Sequence, residues 1–156
     1  MTALQLHLTV LLLFVASLTA NTITLLTLND SYGASFTTSC NEYSFFKAHM
    51  TESCNDLTIS ANVSAGEPDI YVSRRSMPTK SSLSWAAYED GDYDVTISHW
   101  DPESSPGWYY ISIFADCSTT NTTAVYQIKT TLSTSDSDDL YLHPSKGSLL
   151  YFVSWS

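Results

Sequence analysis

Apolar residues recur at every second position in short runs through most of this chain. Turn-forming residues separate the runs at intervals of about ten residues, the spacing expected of an antiparallel sandwich. Leu57–Val63 is the clearest run. Leu57, Ile59, Ala61 and Val63 fall on one side of an extended chain, and Thr58, Ser60 and Asn62 on the other. Trp108–Phe114 behaves alike, with Tyr109, Ile111 and Ile113 facing one way and Trp108, Tyr110, Ser112 and Phe114 the other. Further strands are expected at Thr22–Leu28, Tyr43–Met50, Leu83–Tyr88, Asp94–Trp100 (Val95 and Ile97 inward) and Ala124–Leu132 (Tyr126 and Ile128 inward). The inward face of Tyr43–Met50 is ambiguous. The polar stretch 29–41 reads as loop.

Between two of these runs, Gly66-Glu67-Pro68-Asp69 forms a turn that releases into Ile70-Tyr71-Val72-Ser73-Arg74. Ile70 and Val72 are expected in the core. Asp69 is expected to shape the turn by accepting hydrogen bonds from nearby backbone amides, and Arg74 and Arg75 to pair with neighbouring acids. About eight strands result, enough for two packed sheets. The expected fold is an all-β antiparallel β-sandwich.

The two ends of the chain depart from this pattern. Leu8–Ala16 is a short apolar run followed by small residues, too short to cross a bilayer comfortably. Residues 1–20 therefore read as a signal peptide cleaved near Ala16 or Ala20, and the protein is expected to be secreted, with no membrane insertion after cleavage. Residues 21–132 form the sandwich domain. Residues 133–156 comprise an acidic linker, Ser133–Asp139, and then a segment ending in the apolar Leu149–Val153. That segment is either the truncated start of a second repeat or a last strand of the same sandwich.

Composition narrows the partners. Acidic residues outnumber basic ones sixteen to six, for a formal net charge of −10. So acidic a chain repels phosphate backbones and anionic lipid, which leaves no role in nucleic-acid binding. Three sequons, at Asn29, Asn62 and Asn121, fit an exported glycoprotein. The cysteines Cys40, Cys54 and Cys117 are odd in number, so one pair and one remaining thiol are expected in an oxidising compartment. Cys54–Cys117 and Cys40–Cys54 are both compatible with the sequence.

The landmarks Tyr43-Ser44-Phe45-Phe46, Leu57-Thr58-Ile59, Pro68-Asp69-Ile70-Tyr71-Val72-Ser73, Met77-Pro78-Thr79 and Pro106-Gly107-Trp108-Tyr109-Tyr110-Ile111-Ser112-Ile113-Phe114 occur in that order. Over residues 43–132 the chain resembles the bacterial pre-peptidase C-terminal domain and its eukaryotic secreted relatives. The resemblance implies a jelly-roll-like sandwich. It also implies an accessory domain of secreted proteases or surface proteins, in some members binding calcium, collagen or polysaccharide. Calcium in such relatives is held by acids before the first core strand, where this chain offers Asn29, Asp30 and Glu42.

Little in the sequence suggests catalysis. The four histidines are scattered, no Gly-x-Ser-x-Gly elbow occurs, and a disulfide suits Cys117 better than a role as nucleophile. Asp90, Asp92 and Asp94 alternate as calcium ligands do, and Asp101 stands where a twelfth ligand would. Val95, however, occupies the place of the sharp-turn glycine, so a solvated acidic turn is expected and no cofactor is required. The outward aromatics Trp108, Tyr110 and Phe114, extended by Trp85 and Trp100, form the candidate binding surface. The expected function is a secreted, glycosylated, non-catalytic binding or adhesion module of a larger extracellular protein, meeting an extracellular protein or polysaccharide. The alternatives are an accessory domain of a secreted hydrolase and a calcium-dependent module.

Overall fold

A computed structural model describes residues 22–88, 91, 93–116 and 123–134. Nine strands appear among them and no helix: β1 Ile23–Leu26, β2 Ser35–Ser39, β3 Tyr43–Met50, β4 Asn55–Ala65, β5 Glu67–Ser73, β6 Trp85–Ala87, β7 Asp94–Ile97, β8 Gly107–Asp116 and β9 Thr123–Thr134. They form a five-stranded sheet, β1-β3-β8-β5-β6, and a four-stranded sheet, β2-β9-β4-β7.

The alternating patterns do what their periodicity requires. Phe46, Ala48 and Met50 of β3, Ile70 and Val72 of β5, and Tyr109, Ile111 and Ile113 of β8 are buried from one sheet. Leu57, Ile59 and Ala61 of β4, Val95 and Ile97 of β7, and Tyr126 and Ile128 of β9 meet them from the other. One apolar layer between two sheets is the minimal way for strands with a single greasy face to bury it. The all-β sandwich expected from the sequence is the fold observed.

Four local expectations are corrected. The segment 29–41 is not all loop, since Ser35–Ser39 forms edge strand β2 against β9. Its inward residues are Phe36 and Thr38, and four of its five residues are Ser or Thr, so hydropathy conceals it. Thr38 is buried because its hydroxyl is 2.7 Å from Ser44 Oγ and 2.8 Å from Tyr126 OH, which satisfies it inside the sandwich. The sandwich is also not wholly antiparallel. β1 runs parallel to β3 in the register Ile23↔Phe45 to Leu26↔Ala48, and two residues later Leu28 bridges Thr130 of the opposite sheet.

The third correction concerns Asp69, which does not cap the turn. Gly66 makes that turn with φ +79°, and a Cβ there would meet the Thr123 carbonyl oxygen at 2.4 Å. Asp69 lies a few residues on, within β5, with its side chain on the outer face of the five-stranded sheet. There it accepts a 2.6 Å hydrogen bond from the hydroxyl of Tyr71. Arg74 also departs from expectation. It donates to the backbone carbonyls of Glu103 and Pro106 and to Ser105 Oγ rather than to a carboxylate. Arg75 does reach an acid, Glu103, at 3.9 Å.

Candidate functional site

The outer face of the five-stranded sheet is built by residues of opposite parity to the core. β3 contributes Tyr43, Phe45, Lys47 and His49, and β8 contributes Trp108, Tyr110, Ser112 and Phe114. The antiparallel register sets them side by side as Tyr43↔Phe114, Phe45↔Ser112, Lys47↔Tyr110 and His49↔Trp108. β1 extends two of these rows, with Ile23 beside Phe45 and Leu25 beside Lys47.

The segment 74–84 crosses half of this face and covers it. Ser112 Oγ donates to the Pro78 carbonyl at 2.9 Å, and the Lys80 backbone N–H donates to Tyr43 OH at 3.3 Å. The Lys80 ammonium then lies 4.0 Å over the Phe114 ring, 3.4 Å from Asp116 Oδ2 and 3.7 Å from Asp69 Oδ2. Beneath this strap Tyr71, Ser112 and Phe114 are buried. Desolvation pushes the Asp69 carboxyl above its ordinary range, outweighing the Tyr71 hydrogen bond and the Lys80 charge. The same burial, followed by the hydrogen bond to Asp69, pushes the Tyr71 hydroxyl far up. It stays a neutral donor.

Among the described residues, the uncovered half is mostly apolar and carries no carboxylate. Leu25 is 61% exposed, Ile23 and Trp108 are each 39% exposed, and Phe45 and Tyr110 are half-buried. Lys47 and His49 supply its polar groups. The Lys47 ammonium stands 4.6 Å over the Trp108 ring, and the His49 ring is 4.7 Å from it.

The five aromatics expected to form one surface are therefore separated. Trp108 and Tyr110 share the uncovered patch, whereas Phe114 lies under the strap. Trp85, on β6, packs its half-buried ring 6.1 Å from Tyr109 and donates its indole N–H to Asp101 Oδ2 at 3.0 Å. It belongs to the inner side of the sheet edge. Trp100, 73% exposed, follows β7 at the end of the four-stranded sheet, its ring 4.4 Å from that of His99 and tilted by 46°. Phe45, Lys47 and His49 were missed because the facing of Tyr43–Met50 could not be set before its register with β8 was known, and Ile23 and Leu25 because the pairing of β1 with β3 is a tertiary contact. The Tyr43/Phe45 alternation with Phe46 and Ala48 was the available signal.

Other candidates fall as follows. Asp94 is exposed on β7, while Asp90 and Asp92 lie outside the described residues. Among the described residues no cluster of three or more His, Cys, Asp or Glu is placed to hold a metal. Asn29 sits at φ 58°, where its Oδ1 accepts a 2.7 Å hydrogen bond from the Leu132 backbone N–H. Asn62 is exposed on the outer face of β4, as its alternation predicts, and its Nδ2 is 3.3 Å from Gln127 Oε1. Asn121 and Cys117 lie outside the described residues. Cys54 is exposed, and Cys40 is half-buried after β2. The Asp56–His99 pair, 2.7 Å apart, ties the loop after β7 to β4. Burial pushes the Asp56 carboxyl up, but the His99 backbone N–H and ring outweigh it, leaving the group below its ordinary range.

No protein family and no curated protein matches the chain. Solved structures do resemble it. The pre-peptidase C-terminal domain of the collagenase from Bacillus anthracis is 12% identical with a TM-score of 0.46, covering 70% of this chain and 95% of that one. The periplasmic inhibitors of g-type lysozyme from Aeromonas hydrophila and Salmonella Typhimurium are likewise 12% identical, with TM-scores of 0.45 and 0.43. They cover 73% and 71% of this chain, and 100% and 98% of their own. The likeness is one of fold. The chain is a small all-β sandwich, and the pre-peptidase C-terminal domain suggested by its sequence strings is among the structures it resembles.

Proposed function

We propose that this is a secreted, glycosylated, non-catalytic binding module of a larger extracellular protein. Its contact face is the uncovered patch Ile23, Leu25, Phe45, Tyr110 and Trp108. The observation that carries this reading is the exposure of those side chains side by side on a sheet whose other half is roofed by the chain itself. Large apolar and aromatic side chains gathered on one exposed face mark interaction surfaces. A protein partner suits the patch better than a polysaccharide. The Lys47 ammonium already stands over the Trp108 ring that a sugar would need for stacking.

The disulfide in this reading is Cys40–Cys117. At its end the β3–β8 ladder, in step as far as Tyr43↔Phe114, slips by one residue: the Asn41 N–H donates to the Ala115 carbonyl at 2.9 Å and the Ala115 N–H to the Glu42 carbonyl at 3.2 Å, so Asn41, at φ 58°, and Glu42 both oppose Ala115. Cys40, directly before that bulge, stands at the end of the ladder where β8 stops at Asp116, one residue short of Cys117 in sequence.

Probing arrays of extracellular proteins and of soluble polysaccharides with the full chain tests the function. The expected result is capture by protein spots that Trp108→Ala and Leu25→Glu each reduce at least about tenfold, with unchanged melting. Capture that survives both substitutions rejects the patch. Capture by polysaccharide alone rejects the partner class.

A further inference from the structure

At the opposite edge of the five-stranded sheet, beside β6, a groove of about 440 Å³ is lined by Leu83, Ser84, Trp85, Asp101, Pro102 and Glu103. We infer that this groove receives a lysine or arginine side chain from a basic protein partner. The site is separate from the Trp108 patch, and the inference takes from the preceding reading only that the partner is a protein.

The walls have the right chemistry for a long cationic side chain. Trp85, Leu83 and Pro102 offer apolar surface for a methylene stem and an indole for its charged end, while Asp101 and Glu103 supply carboxylates. The indole is held in place because its N–H is fixed on Asp101 Oδ2, an oxygen that also accepts from the Ser98 backbone N–H at 3.2 Å. Ser84 Oγ donates to Glu103 Oε2 at 2.7 Å and orients that carboxylate too. Both acids are therefore positioned before any partner arrives, which lowers the cost of binding.

The site already draws a cation from its own chain. Arg75, with a side chain 85% exposed, stands 3.9 Å from Glu103 Oε1. So long and exposed a pairing is weak, and an incoming side chain with apolar contacts can displace it. The chain's other described cations are committed elsewhere. Lys47, Lys80 and Lys129 each stand over an aromatic ring, and Arg74, though near the groove, stands over Tyr109 and donates to the Glu103 backbone carbonyl and not to its carboxylate. The net charge of −10 therefore steers cationic partners toward the surface. Leu83, which lines the groove, is 38% exposed, and Trp100, next to Asp101 in the chain, 73%. Those residues, next to a sheet edge that pairs with no other described strand, supply the apolar contact area a protein interface needs.

The test follows the Trp85 indole N–H by NMR in the full chain while N-acetyl-arginine methylamide, N-acetyl-lysine methylamide and, as the uncharged control, N-acetyl-norleucine methylamide are added in turn. A saturable shift is expected with one or both cationic probes and not with the control, and their ratio tells guanidinium from ammonium preference. Glu103→Gln is expected to weaken binding at least about threefold, and Arg75→Ala to strengthen it about twofold, by removing the competitor. Raising salt from roughly 50 to 300 mM is expected to weaken it further. Asp101→Asn is read only beside these, because Asp101 also anchors Trp85. No saturable shift, an equal shift with the norleucine probe, or binding indifferent to Glu103→Gln overturns the proposal.

Discussion

The hydroxyl of Tyr71 donates a 2.6 Å hydrogen bond to the carboxylate of Asp69, two residues back on the same face of β5. Lys80, at 3.7 Å, closes the arrangement from above. This buried link fastens the segment 74–84 over the sheet, and it has a definite pH signature. The folded Asp69 pKa is raised above its unfolded value, so the carboxyl's contribution to stability is complete below the unfolded pKa and is lost as pH rises through the folded one. Asp69→Asn, which still accepts from Tyr71, is expected to lack that loss and to be at least as stable as the parent near pH 7. Urea unfolding between about pH 4 and 7 measures it. A variant less stable by more than about 1 kcal/mol at neutral pH would show that Lys80 needs the charge.

Asp56 carries the opposite sign. Its folded pKa is lowered, so its contribution is present above the unfolded pKa and falls away as pH drops through the folded value. Asp56→Ala removes the acceptor of both the backbone N–H and the ring of His99. A loss of about 1–3 kcal/mol is expected at pH 7, shrinking under acid conditions. Equal losses at neutral and acid pH would mean that packing, not charge, is what Asp56 provides.

Gly66 tests the turn that starts β5. Its φ of +79° disfavours any side chain, and a Cβ would stand 2.4 Å from the Thr123 carbonyl oxygen and 2.7 Å from the Ala124 Cα, both backbone atoms. Gly66→Ala is expected to cost at least about 2 kcal/mol, more than left-handed strain alone, because backbone on either side must shift. A melting temperature within a degree or two of the parent would show that the turn is loose.

Export and cross-linking can be checked together. Produced through a eukaryotic secretory pathway, the chain is expected in the medium, beginning near Asn21, with mass lost on treatment with peptide-N-glycosidase. Peptide mapping without reduction should join Cys40 to Cys117. Replacing both by Ser should cost roughly 4 kcal/mol in the chain-entropy account of a long closed loop. A bridge involving Cys54 would overturn the Cys40–Cys117 pairing.

Much of the sandwich was legible because strand periodicity is a local property. Leu57–Val63 and Trp108–Phe114 reveal their inward sets without knowledge of any neighbour. The edge strand Ser35–Ser39 was not, because its inward Thr38 is buried through hydroxyl contacts with Ser44 and Tyr126, which are tertiary. The proposed binding surface was only half legible for a related reason. Periodicity says that Trp108, Tyr110 and Phe114 share a face, but it cannot say that Lys80 comes to rest on Phe114 from a loop elsewhere in the chain. The placement of Trp85 and Trp100 was likewise a question of sheet order, which no local pattern encodes.

The parallel strand β1 has a mechanical consequence. β1 and β9 run the same way, so the described chain enters at one end of the sandwich near Ile23 and leaves at the other near Thr134. Tension between those ends pulls β1 along its own axis, against the hydrogen bonds to β3 and the bridge from Leu28 to Thr130. Those bonds are loaded together, in shear, and cannot be unzipped one at a time. Force applied to those two ends is shared among all of these bonds at once.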